Sequence, residues 1–247
     1  MVLPTTLPRR QRLRKALILI SFLLFPVTIY YFSPVLIIRG ASLGIVTGSF
    51  MMFGLLFLSA LVLGRAWCAW ARPGGGLGEI CLMAGGRPAP GGRWNWIKYA
   101  LWAPWLAAIA VFSVRAGGYH LLDPFFMTWH GISVHDPESY LVYFVFVALI
   151  AAMAWRPGRR GFCHYVCWMA PFMVAGQELQ RWGGWPALHL EANPEDCAQC
   201  GTCAGNCPMS LDVPALVARG DMFHRECILC GTCVDNCAKG VIRFKMF

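Results

Sequence analysis

For its first two thirds the chain alternates long apolar runs with short polar connections, and then it changes character. Residues 16–38, 43–63, 97–114 and 140–155 are apolar and almost free of charge. A hydrocarbon layer about 30 Å thick takes roughly 20 helical residues, so each run predicts a membrane-spanning helix, with a tight turn at 39–42 between the first two. Pro26, Pro34 and Pro104 predict kinks inside these helices, which lipid spans tolerate where neighbours satisfy the freed carbonyls. The first run is long and has no small-residue cleavage site after it, so it reads as a retained span rather than a leader.

The distribution of charge orients these spans. Of 21 basic residues, all but Arg39 and Arg115 fall in the N-terminal arm, after the second and fourth runs, or in the C-terminal tail. Basic residues accumulate on the cytoplasmic side, so the expectation is a multi-pass protein of the bacterial inner (plasma) membrane with both termini cytoplasmic. The net charge of +9 then reports topology, and no nucleic acid partner is expected. Composition agrees: 57% of residues are hydrophobic and 13% charged, against about a quarter charged in soluble domains. Disordered, collagen-like and small disulfide-stapled classes are excluded, and the lipid bilayer is the first partner. The loop between the third and fourth runs carries His120, Asp123, His130 and His135 beside Phe125, Phe126 and Trp129. These polar groups are candidates for proton handling at a quinol site, or they face water beside interfacial aromatics.

Beyond Leu190 the hydrophobicity drops and the sequence repeats itself. Cys197, Cys200, Cys203 and Cys207 form a C-x2-C-x2-C-x3-C run that recurs at Cys227, Cys230, Cys233 and Cys237. This is the bacterial two-cluster ferredoxin spacing, in which the fourth cysteine of each run serves the other cluster. Cluster I is expected on Cys197, Cys200, Cys203 and Cys237, and cluster II on Cys227, Cys230, Cys233 and Cys207. Gly201 and Gly231 let the backbone approach each cluster. Zinc sites use two C-x2-C pairs and fit these runs poorly, and disulfides do not suit a cytoplasmic segment.

Four of the 12 cysteines remain: Cys68, Cys81, Cys163 and Cys167. Arg65, Trp67 and Cys68 echo Arg160, Phe162 and Cys163, as if a two-helix unit had been duplicated. Three readings stay open: a third cluster on all four thiols, a thiol pair at Cys163 and Cys167 acting in exchange or metal transfer, and structural cysteines. The layout of four spans, cysteine motifs after the second and fourth, and a C-terminal two-cluster ferredoxin resembles the NapH and MauN type of membrane ferredoxin-like proteins, and more distantly NosR-like and CcoG-like proteins. That resemblance implies quinol-linked electron transfer or a redox role in metalloenzyme maturation. The family motif C-x3-C-P is altered twice: Arg72 stands where the second cysteine of the first motif belongs, and Trp168 replaces the proline of the second.

No c-type haem motif, P-loop or dinucleotide fingerprint is present, and Gly74, Gly75 and Gly76 read as a flexible loop. No nicotinamide or nucleotide site is expected. The sequence therefore predicts an all-α four-helix transmembrane bundle followed by an α+β two-[4Fe-4S] ferredoxin domain. Its parts are a basic arm (1–15), a membrane domain (16–168), an interfacial linker (169–190) and the ferredoxin domain (191–247). The expected role is an electron-transfer subunit, rather than a complete enzyme, linking the quinone pool to a partner redox protein. The alternative is an accessory factor that reduces a metal or disulfide in a partner metalloenzyme.

Overall fold

The computed structural model describes residues 8–83, 87–155 and 158–246. Helix α1 (Arg9–Leu23) ends at Leu24, where the chain bends by 60° into α2 (Phe25–Thr28) and a 3-10 turn (Ile29–Phe32) before α3 (Pro34–Leu43) begins. The first apolar run is therefore not one kinked helix. Pro26 lies in the first turn of α2 and Pro34 opens α3. A proline cannot supply the N–H that continues a preceding helix, yet it fits the first turn of the next one.

The turn expected at 39–42 lies inside α3. The chain reverses instead at Gly44, whose φ of 66° places it in the left-handed region. Strand β1 (Ile45–Thr47) follows, and the Thr47 hydroxyl caps α4 (Gly48–Leu63) by accepting the Phe50 N–H at 3.2 Å. Next come α5 (Ala66–Trp70), α6 (Pro73–Met83), α7 (Ile97–Arg115), β2 (Leu121–Asp123), α8 (Pro137–Trp155), α9 (Gly161–Tyr165) and α10 (Met169–Gly183). The chain ends with β3 (His189–Ala192), α11 (Thr202–Gly205), α12 (Val213–Ala218), α13 (Thr232–Asp235) and β4 (Ile242–Lys245).

Two segments, Gly92–Arg115 and Pro137–Trp155, are long and apolar enough to cross a membrane, and the bent Arg9–Phe32 unit makes a third if counted as one span. Helices α3 and α4 are shorter, at 10 and 16 residues. Among the described residues the molecule is mostly helical with two to three candidate spans rather than the four expected, because two prolines and Gly44 interrupt the N-terminal half. Leu141, Val145 and Leu149 on α8 and Leu101 and Val111 on α7 face outward.

Strand β1 pairs in parallel with β2, Ile45 opposite Leu121, so the connection after α3 and the one after α7 meet at one end of the molecule. At the other end Arg10 pairs with Asp235 at 2.5 Å. Strands β3 and β4 are antiparallel, with Leu190 opposite Phe244, and tie together the two ends of the C-terminal domain.

The three-glycine segment is not a loop. Gly74, Gly75 and Gly76 are buried within α6, and a Cβ on Gly76 would lie 2.5 Å from the Ile18 carbonyl oxygen of α1. Absent side chains let the two backbones touch, and that contact orders the segment as helix. The 169–190 segment holds α10, which packs along α4 where Gly176 meets Ala60 and the Phe57 carbonyl. Phe172 places its ring edge-on to Phe53, Trp102 and Trp105, while Leu179 and Trp182 stay exposed. One continuous core runs from Phe53 and Leu56 through Cys68, Cys163 and Met173 to Cys207, Met209 and Ile228. The helical half and the C-terminal domain are thus welded through a shared apolar layer.

Candidate metal centre

The two cysteine runs adopt the same backbone. Gln199 and Leu229 have φ near 50° (49° and 51°), and Gly201 and Gly231 have φ of 70° and 73°, each just before a short helix, α11 or α13. Left-handed residues in such a loop turn successive N–H groups toward one centre, a concavity suited to an anionic cluster. Helices α11 and α13, which carry Cys203 and Cys233, touch.

Cys207 stands by the second run. Burial pushes the Cys227 thiol up to about 12, with Cys230 and Cys207 adding like charge. Burial likewise raises Cys233, and Cys230, Cys227 and Cys207 act on it in turn. Cys203 is raised first by burial, with Cys200 and Cys197 close enough to add to it. Each donor set fits a cluster bound by thiolates, since metal binding supplies the charge that draws off these protons. The two sets differ in exposure. Of the first expected set Cys200 is exposed and Cys197, Cys203 and Cys237 are half-buried; of the second, Cys227 and Cys233 are half-buried and Cys207 and Cys230 are buried.

The second run rests on the helices. Gln11 Nε2 donates to the Cys230 carbonyl at 3.0 Å and Trp70 Nε1 to the Leu229 carbonyl at 3.3 Å. Beneath it Glu226 faces both Arg65, at 3.3 Å, and Lys98. Burial opposes the Glu226 charge, but Arg65 and Lys98 outweigh it and hold the carboxyl below its usual value. Glu79 does the same for Arg14 and Arg160, each at 2.8 Å. His164, buried, is lowered to about 4 by desolvation, so it is neutral near neutral pH; its Nδ1 lies 3.0 Å from Asn95 Oδ1.

Helices α5 and α9 are equivalents. The Cys68 N–H donates to the Arg65 carbonyl at 3.0 Å, and the Cys163 N–H to the Arg160 carbonyl at 2.8 Å. The structure brings Cys68, Cys163 and Cys167 together around Arg72, all four buried. Arg72 Nη1 donates to Cys163 Sγ at 3.4 Å, and Cys68 Sγ to Met173 Sδ at 3.3 Å. Cys81 lies on α6, and its side chain is outside the described residues.

The candidate residues of the loop between α7 and α8 are dispersed. His120 sits against Gly44, Asp123 accepts the Phe125 N–H at 3.0 Å, and His130 and His135 flank Trp129, with His135 2.7 Å from Asp136. The buried ionic collar of Arg14, Glu79, Lys98, Arg160 and Glu226 was not singled out by the sequence reading. Its signal was present: charged residues are few, and Arg65 and Arg160 repeat at the same distance before a cysteine.

Residues 196–242 match the 4Fe-4S dicluster domain family. The chain is also similar to YccM of Escherichia coli K12, whose name describes an electron transport protein, at 27% identity over 171 residues, covering 64% of this chain and 45% of YccM. It is also similar to RdxA of Cereibacter sphaeroides at 27% identity over 192 residues, covering 68% of this chain and 40% of RdxA. The chain thus spans less than half the length of either relative. No solved structure matches.

Proposed function

We propose that this protein is a membrane-anchored iron–sulfur electron carrier of the NapH and MauN type, relaying single electrons between the quinone pool and a partner redox protein. The observation that carries the reading is the asymmetric seating of the two cysteine sets. The Cys227–Cys233 loop is fastened to the helices through Gln11 and Trp70, while Cys200 is open to solvent. The clusters, when bound, supply one-electron transfer. The chain's own contribution is position: one set held against the helices with Cys207 and Cys230 buried, the other presented outward at Cys200 to a soluble partner.

An apolar cavity of about 250 Å³ supports the quinone end. Phe25, Phe32, Phe146, Ile150 and Trp168 line it, and Arg72 is its charged wall beside Cys163. Pockets for small molecules are mostly apolar with a few placed polar groups, and a guanidinium donates to an acceptor-only quinone carbonyl. The orientation in this reading puts both termini in the cytoplasm of a bacterial inner membrane. The β1–β2 end, to which Arg39 and Arg115 belong, is then the outer one. The domain limits at 15, 168 and 190 belong to the same proposal.

The test is to reduce the purified full-length protein in detergent and mix it anaerobically with a short-chain quinone. Prompt bleaching of the reduced signals with formation of quinol is expected: two electrons and two protons convert one quinone to one quinol. Reduced protein that stays reduced in excess quinone overturns the quinone half of the reading.

A further inference from the structure

Arg72 is 3% exposed and, among the described residues, no carboxylate pairs with it. Its Nη1 donates to Cys163 Sγ, its Nε has no partner, and its ring contact is with Phe162. Around it the collar is unbalanced. Arg14, Arg65, Arg72, Lys98 and Arg160 are all buried, while among the described residues Glu79 and Glu226 are the carboxylates that face them. Buried charge without a counter-charge is strongly disfavoured. Among the described residues, the remaining groups that can become anionic beside Arg72 are Cys68, Cys163 and Cys167.

The repeat says what Arg72 replaces. Cys68 and Cys163 occupy equivalent places in α5 and α9, and four residues further on stand Arg72 and Cys167. Arg72 is the positional counterpart of a thiol. Among the described residues, no three His, Cys, Asp or Glu side chains converge on a single ion, whereas a cubane takes each thiolate on a different iron and so needs a wider ring.

We propose that Cys68, Cys163 and Cys167 hold a third iron–sulfur cluster by three thiolates, with the Arg72 guanidinium against its fourth corner where a fourth thiolate would otherwise bind. Thiolate ligation supplies the anion that Arg72 lacks. The fourth iron, carrying no protein thiolate, is open to a small exogenous ligand such as water. Arg72 stabilises added negative charge, so it raises the reduction potential of this cluster. Trp70, two residues after Cys68, donates to the Leu229 carbonyl and ties the site to the Cys227–Cys233 loop. The assignment rests on the iron–sulfur reading for the class of cofactor and not on quinone chemistry, so failure of the quinone assay leaves it standing.

The experiment is anaerobic purification of the full-length chain, with iron, acid-labile sulfide, zinc and copper measured per chain and the reduced clusters titrated by electron paramagnetic resonance. About twelve irons and as many sulfides are expected for the wild type, against about eight for the ferredoxin pair alone. C163S is expected to fall to about eight with both ferredoxin signals intact; C81S is expected to match the wild type. R72C, which restores C-x3-C, is expected to keep the count and move the third signal to lower potential. About eight irons in the wild type, stoichiometric zinc or copper, or loss of the third signal in C81S would each overturn the assignment. If C163S does not accumulate, R72C decides alone, and a potential that does not move rejects the role given to Arg72.

Discussion

Glu79 holds two buried guanidiniums at the junction of α1, α6 and α9, and Glu79→Gln isolates the worth of its charge. Its Oε1 accepts from Arg14 Nη1 and Arg160 Nη2, both at 2.8 Å, and its Oε2 from Arg14 Nη2 at 3.3 Å. Burial works against the carboxylate, but Arg160 and then Arg14 reverse that effect and bring its pKa from 4.5 to about 2. At roughly 1.4 kcal/mol per unit, the charge stabilises the folded chain by about 3 kcal/mol at neutral pH. Breaking a buried ion pair independently suggests about 3–5 kcal/mol. Because the folded value is depressed, this stability is full above pH 4.5 and is lost as pH falls toward about 2. Wild type and E79Q would be titrated with denaturant in the same mild detergent across this range. Only the difference is read, because acid attacks the clusters of both proteins alike. The expected difference is about 3 kcal/mol at neutral pH, narrowing in acid. A neutral-pH difference below about 1 kcal/mol, the size of an exposed pair, or one that stays constant into acid, would refute the argument.

Two further outcomes follow from the geometry. C207S should remove the resonance of the helix-seated cluster and spare the exposed one, and C237S should do the reverse; loss of the same-run cluster in either variant would contradict the exchanged ligation. G76A places a methyl 2.5 Å from the Ile18 carbonyl, where backbone cannot yield, whereas G54A finds open space. Overpacking costs about 1–3 kcal/mol and the helix gains about 1 kcal/mol from alanine, so G76A should lower the midpoint of thermal unfolding and G54A should raise it. Equal shifts in the two variants would show that α1 and α6 do not touch as described.

Spacing made the metal centre legible, since eight cysteines in two matched runs leave few alternatives. Continuity of the first two apolar runs was misjudged, because hydropathy does not register that Pro26 and Pro34 begin helices or that Gly44 turns the chain. The three-glycine segment was misread for a related reason: glycine signals freedom when considered alone, and its helical state here depends on Ile18 and Phe22 of a distant helix. Of the site, the repeat of arginine and cysteine before α5 and α9 was visible. What it builds was not, because Glu79 and Glu226 reach it from segments far away in sequence.

The contacts of the N-terminal turn bear on the order in which the molecule is completed. Gln11, buried, donates to the Cys230 carbonyl and to Asp235, groups that lie 219 and 224 residues later in the chain. Until then the start of α1 has unsatisfied polar groups and cannot settle into its final place. The loop that carries Cys230 therefore closes over α1 only after everything between them has been made, and a chain cut short before Cys230 leaves Gln11 without these two partners. Seating of α1 and acceptance of the second cysteine run are in this way one event, because each supplies the other's hydrogen-bond partners.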